Sequence, residues 1–242
     1  MTHQSAYATR ARLGLIVPPT NTVNEQEWQR MMPEGVSFHT HRMRLHGPGQ
    51  QEALMRDLDA AVAMLAEVNP DAIAYACTAG SMTIPANAMP EAVSARTGKR
   101  VLTTSASLIA ALKALGADRI SVATPYTDTV NAHEVDFLKA HGMDVAAIEG
   151  LGIGAGGPAE FVCIARTSLA EVEAHARKVF VPGSDALLIA CTDFPTLPLI
   201  ERLEADLGVP VVTSNQATLW AMLRQAGIAD SVEGGGTLFS RA

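Results

Sequence analysis

The sequence predicts an α/β protein built from two similar flavodoxin-like halves, each a small parallel sheet with helices, related by a pseudo-two-fold duplication and sharing one active site between them. Three pairs of segments predict this. Asp71 to Thr78 (Asp-Ala-Ile-Ala-Tyr-Ala-Cys-Thr) reads almost as a copy of Asp185 to Thr192 (Asp-Ala-Leu-Leu-Ile-Ala-Cys-Thr). Arg12 to Asn24 lines up with Arg119 to Asn131, sharing Arg, Pro, two Thr, Val and Asn in register, and Gly98 to Thr104 matches Gly208 to Ser214. Three matches in the same order are a repeat of one α/β unit, and a cleft between copies is where such folds place ligands. The expected halves are 12–105, with 214–242 packing back on it, and 106–213.

Apolar runs predict strands near 12–17, 36–41, 71–76 and 100–103, alternating with helical patterns near 23–32, 52–68, 85–97 and 106–115. The second half repeats the alternation, with strands near 119–124, 143–148, 185–190 and 209–213. Regular β-α alternation implies parallel sheets with right-handed crossovers. Runs such as Ala-Ile-Ala-Tyr-Ala, with no polar face, suit strands buried on both sides. Pro33, Pro70, Pro182 and Pro210 stand at the approaches to strands, where a missing N–H does least harm. A last helix is expected over 215–226, ended by Gly227, and Gly234 to Gly236 are expected to be either flexible or a terminal loop.

Composition narrows the function. The formal charge is −7 with no basic cluster, which argues against nucleic acid. No segment reaches the roughly 18–20 apolar residues of a membrane span, and Met1 to Ala11 lacks the apolar stretch of a signal peptide. Three cysteines without short spacing form no disulfide framework, so a reducing cytoplasmic setting is expected. A small molecule is the expected partner, and a homo-oligomer is compatible with the composition.

Cys77 and Cys191 each end an apolar strand, at the carboxyl edge where open α/β sheets bind ligands. A cysteine at a strand-to-helix junction meets the positive end of the next helix, which is expected to lower its pKa from about 8.5 toward neutrality, leaving one of the two as a thiolate. Two thiols across a cleft suit proton removal and return on opposite faces of a carbon beside a carboxylate. They equally suit a division of labour, one thiolate adding to a double bond while the other handles the proton. The Pro18-Pro19-Thr20-Asn21-Thr22 turn after the first strand, and its copy Pro125-Tyr126-Thr127-Asp128-Thr129, offer Asn21 and Tyr126 to a carboxylate, whereas Asp128 is read as a helix N-cap.

Other features carry less. His39, His41 and His46 lack a carboxylate or cysteine to complete a metal set, so no metal is expected. Gly152 to Gly157 lacks both the phosphate-loop and dinucleotide patterns and is read as a mobile loop bordering the cleft. Cys163 has no duplicate and lies in an apolar helical context, which reads as packing.

With the paired cysteines, the Pro-Pro-Thr-Asn-Thr turn and the Thr-Pro-Tyr turn, the chain resembles the aspartate/glutamate racemase superfamily from about Arg12 to Gly236, and within it the maleate cis-trans isomerases and their arylmalonate decarboxylase relatives. The resemblance implies a two-domain, cofactor-independent enzyme that binds carboxylates through backbone amides and neutral side chains. It implies Cys77 as the nucleophile and Cys191 as acid/base, with Asn21 and Tyr126 on the carboxylate and Pro19, Thr78, Ala79 and Thr192 around it. The decarboxylases keep a glycine where Cys77 stands, so an isomerase of a small unsaturated mono- or dicarboxylate is expected first. A two-thiol racemase or a decarboxylase-like enzyme comes second, and a non-catalytic carboxylate-binding protein last. One departure stands out: Phe161 falls where the maleate isomerases carry a carboxylate-holding asparagine.

Overall fold

The structure is a computed structural model and describes residues 5–47 and 49–242. Its first half runs β1 (Ala11–Val17), α1 (Asn24–Met31), β2 (Val36–Arg42), α2 (Gln51–Ala66), β3 (Ala72–Tyr75), α3 (Thr78–Ser81), α4 (Ala88–Thr97) and β4 (Val101–Thr103). Helix α5 (Thr104–Ala114) leads into the second half: β5 (Arg119–Thr124), α6 (Asp128–Ala140), β6 (Asp144–Gly150), α7 (Leu169–Val179), β7 (Ala186–Ile189), α8 (Ile200–Leu207) and β8 (Val211–Thr213). Helices α9 (Ser214–Gln225) and α10 (Gly236–Arg241) close the chain. The sheets are ordered β2-β1-β3-β4 and β6-β5-β7-β8, and every strand pair is parallel. Each is the flavodoxin-like layer expected, made twice.

The duplicated residues do the same work in both halves. Asp71 accepts the Arg12 N–H at 2.8 Å and so ties the start of β3 to β1, and Asp185 accepts the Arg119 N–H at 2.8 Å, tying β7 to β5. Gly98 and Gly208 end α4 and α8 in the left-handed conformation (φ 66° and 71°), which a side chain would strain, and their N–H groups close the last turns on Ser94 and Glu204. Thr103 and Thr213 cap α5 and α9.

One core joins the facing sides of the two sheets, drawing Leu13, Leu15 and Trp28 from the first half and Ile120, Leu188 and Val212 from the second. A second core, around Ile16, Leu58 and Val93, lies under α2 and α4. Helices α5 and α9 pack on each other at the seam. Helix α9 also meets α1, β3, β4 and β8, whereas α10 sits on α9 and on α8 and β8 of the second half. Of the glycine run, Gly234 and Gly235 form a loop and Gly236 opens α10, which is held down because Leu238 and Phe239 are buried and the Ala242 carbonyl accepts from Trp220 and Arg224. Among the described residues no helix is long and apolar enough to cross a membrane.

Candidate active site between the two halves

Strands β3 and β7 end two residues before Cys77 and Cys191, so both thiols emerge at the carboxyl edges of their sheets. Each is 8% exposed. The Gly80 N–H and the Tyr75 hydroxyl lie beside Cys77 Sγ, and the Asp193 N–H and the Tyr126 hydroxyl beside Cys191 Sγ, each placed to favour the charged sulfur. Each sulfur thus has one backbone donor and one phenol. The two are near enough for the charge of Cys77 to act on both Cys191 and Tyr126.

Side chains from the two halves lace the seam around these thiols. The Thr78 and Ser214 hydroxyls lie 2.8 Å apart, and Ser214 Oγ accepts the Cys191 N–H at 2.9 Å. Thr192 donates to the Ala76 carbonyl and accepts from Asn21 Nδ2, both at 3.1 Å. Asp193 Oδ1 accepts the Thr22 and Val23 N–H groups at the mouth of α1, and its Oδ2 is buried without a partner. Burial pushes the Asp193 carboxyl up to about 6, against the pull of those N–H groups and of Arg42.

Asn21 is fully buried. Its carbonyl caps α1 by accepting from Val23 and Asn24, which leaves one amide N–H beyond the bond to Thr192. Tyr126 is buried against Cys191, Thr78 and Thr192 are buried at the seam, and Ala79 is half-buried at the start of α3. Pro19 is exposed, with its carbonyl 3.4 Å from Arg42 Nη1. Phe161 is half-buried, and its ring lies against Gly154.

Four expectations need correction. Burial pushes the Cys77 thiol up and the Cys191 thiol up to about 12, so neither rests as a thiolate at neutral pH; α3 has only four residues, and desolvation outweighs its N-terminal field. Cys163 is exposed on a 3-10 helix (Pro158–Arg166) whose buried residue is Ile164. Asp128 is the first residue of α6 and makes no cap bond; Thr127 holds the cap position. The glycine loop is laced down, with Gly154 and Gly156 donating to Glu160 Oε2 and Gly152 to the Tyr126 carbonyl. Among the described residues no group of three or more His, Cys, Asp or Glu is placed to hold a metal.

The sequence reading missed Tyr75, although alternate strand residues share a face and Tyr75 stands two before Cys77. It missed the backbone of Cys191, held at φ 106°, a conformation rare outside glycine and concentrated at functional sites. It also passed over Glu27 and Glu134, the two fully enclosed acids of α1 and α6.

Two outcomes follow from this geometry. A Cβ on Gly80 would fall 2.7 Å from the Tyr75 hydroxyl and 2.9 Å from Cys77 Sγ. Gly80→Ala is therefore expected to lower kcat/KM by roughly tenfold or more with both thiols in place, since displaced donors cost about 1–3 kcal/mol; unchanged turnover would mean the pair is not used. Burial raises Glu134 to about 8, so the native state holds a proton that the unfolded chain releases near 4.5. Stability should be full below pH 4.5 as far as this group is concerned and should fall by on the order of 3–5 kcal/mol as pH rises through 8. Glu134→Gln should flatten that slope in urea titrations across the window.

Residues 13–239 match the family described as Amdase, arylmalonate decarboxylase. The chain belongs to this family. Within the arylmalonate decarboxylase family it is 29% identical to the maleate isomerase of Nocardia farcinica over 242 residues, 94% of each protein. It is 33% identical to the arylmalonate decarboxylase of Bordetella bronchiseptica over 142 residues, 58% of this chain and 57% of that one. Among solved structures it resembles a mutant of the Nocardia farcinica maleate cis-trans isomerase with a covalently bound succinylcysteine intermediate, with a TM-score of 0.85, 28% identity, and coverage of 96% of this chain and 99% of that one. These relatives make the chain an isomerase-like enzyme of the family.

Proposed function

We propose that the chain is a cofactor-independent cis-trans isomerase of a small unsaturated carboxylate, in which Cys77 adds to the double bond and Cys191 handles the proton. What supports this reading is the pair of buried thiols, each with one phenol and one backbone N–H beside it, at the carboxyl edges of two copies of the same strand. The succinylcysteine borne by the Nocardia farcinica relative supports it, as a saturated adduct on sulfur is what addition to an unsaturated diacid produces.

Cys77 sulfur forms a bond to one alkene carbon, the π electrons move onto the other carbon and its carboxylate, and the Cys191 thiol delivers a proton there. The former double bond is then a single bond and rotates freely. Return of that proton to Cys191 and expulsion of Cys77 give the trans product, with no net change in electrons. Burial keeps both thiols neutral before this, so Cys77 gives its proton to solvent as substrate binds and takes one back from solvent when the product leaves, which balances the cycle. The Gly80 N–H and Tyr75 hydroxyl are the donors that take up the charge on its sulfur.

Nuclear magnetic resonance on a panel of carboxylic acids tests the reading. Cis-to-trans conversion supports it. Solvent deuterium entering the α-carbon of a chiral acid with inversion would replace it with a racemase, and binding without turnover would make the chain a binding protein.

Phe161 sets a specificity expectation. Phenylalanine donates no hydrogen bond, and a carboxylate left unpaired beside it is disfavoured by about 1–3 kcal/mol. A monocarboxylate, or a diacid with an apolar substituent, should be turned over better than maleate, and Phe161→Asn should shift preference toward maleate. Efficient conversion of maleate, unchanged by the substitution, would place Phe161 outside the site.

A further inference from the structure

The duplication extends beyond the matched segments to an Asn-x-x-Glu pair, Asn24 and Glu27 in α1 and Asn131 and Glu134 in α6. In the first copy the acid is a clasp. Glu27 Oε1 accepts the Thr196 and Leu197 N–H groups at 2.6 and 2.7 Å, and Oε2 accepts Asn215 Nδ2 at 2.7 Å. Thr196 and Leu197 are the fifth and sixth residues after Cys191. Glu27 thus grips the segment that carries the second thiol.

Its counterpart grips nothing. Glu134 is 0% exposed, and neither carboxyl oxygen has a hydrogen-bond partner. The fifth and sixth residues after Cys77 are Met82 and Thr83, and they lie in the turn that leads to Ala86. That turn already docks on α6: the Ala86 N–H donates at 2.8 Å to His141 Nε2, two helical turns beyond Glu134. Ser105, which stands where the second copy has Asn215, makes no bond to Glu134 and donates instead to the Ser81 carbonyl at 2.6 Å. Met82 N–H makes only a 3.5 Å contact with Ala79, and Ile84 is 60% exposed at the tip.

We propose that Glu134 is the positioning residue of the Cys77 arm: with a carboxylate in the cleft, the Met82–Thr83 turn draws in and donates its backbone N–H groups to Glu134, as Thr196 and Leu197 donate to Glu27. The clasp rests on the carboxylate-isomerase reading of the cleft. It makes the Cys77 side the moving jaw and the Cys191 side the fixed one, which fits the strained, fully tied backbone of Cys191.

The test is hydrogen exchange of the 81–86 peptide with and without maleate or isocrotonate, with alkylation of Cys77 and Cys191 reporting occupancy. The clasp predicts that the ligand shields the thiols and slows exchange of Met82 and Thr83 at least fivefold in the wild type. Glu134→Leu should abolish the slowing and lower kcat about tenfold, while its melting temperature at pH 8 stays level or rises. Glu134→Gln, which keeps an acceptor oxygen, should restore part of both. Shielded thiols with no slowing, or with the same slowing in Glu134→Leu, would overturn the clasp and leave the cleft reading standing. Thiols left open to alkylation by both acids would overturn the two together.

Discussion

Cys77→Ala is expected to abolish turnover, with a loss of at least about a thousandfold in kcat, while the protein folds normally. Loss of the group that forms the covalent bond removes the route rather than weakening it, which is why nucleophile deletions are among the largest effects measured in enzymes. The truncation is small for the fold. Cys77 packs beside Tyr75 and Ile73 in the outer core of the first half, and one sulfur lost there is worth about 1 kcal/mol of stability. Circular dichroism and a melting curve close to wild type, with no turnover, would separate chemistry from folding. A fully active variant would remove Cys77 from the mechanism.

Glu27→Leu should have the largest effect on stability. The substitution strands the Thr196 and Leu197 N–H groups and the Asn215 amide in a dry interface, and each buried donor without a partner costs about 1–3 kcal/mol. A total near 3–6 kcal/mol is expected, equivalent to a fall of roughly 10 °C or more in melting temperature for a chain of this size. The same change at Glu134 should be neutral or stabilising at pH 8, because that carboxyl has no partners to strand. The contrast between two acids at equivalent positions is the informative quantity, read by calorimetry. Equal destabilisation would mean that the two copies use their acids alike.

The duplication made the fold legible. The repeated Asp at each strand opening and the repeated Gly at two helix ends are residues with one structural role apiece, and both halves use them the same way. The cysteines were legible for the same reason, since a residue copied with its strand keeps its place at the sheet edge. Where the copies diverge, the sequence was a poorer guide. Tyr75 corresponds to Ile189 in the other copy, so comparison of the repeats passes over it, although its hydroxyl lies beside the Cys77 sulfur. Glu27 and Glu134 match, but only the folded chain shows one satisfied and the other orphaned, because the partners of Glu27 come from Thr196, Leu197 and Asn215, distant in sequence.

The direction of the thiol shift departs from what the local sequence predicts. A helix N-terminus lowers a nearby pKa when the helix is long and the thiol is wet; four residues and near-complete burial reverse the balance. The apolar run Phe-Val-Cys-Ile-Ala predicts a packed helix around Cys163, and that pattern misleads here. In the fold it is a 3-10 segment that buries Ile164 and turns Cys163 outward.

The most direct measurement of the covalent mechanism is peptide mass spectrometry of Cys191→Ser after incubation with the acid that the wild type isomerises. Serine in place of the second thiol should slow the proton return that releases the product, so the adduct accumulates. A mass increase equal to the whole acid on the peptide containing Cys77, and none on Cys163, is the predicted result. An unmodified Cys77 in a variant that still binds the acid, or a label confined to Cys163, would contradict it.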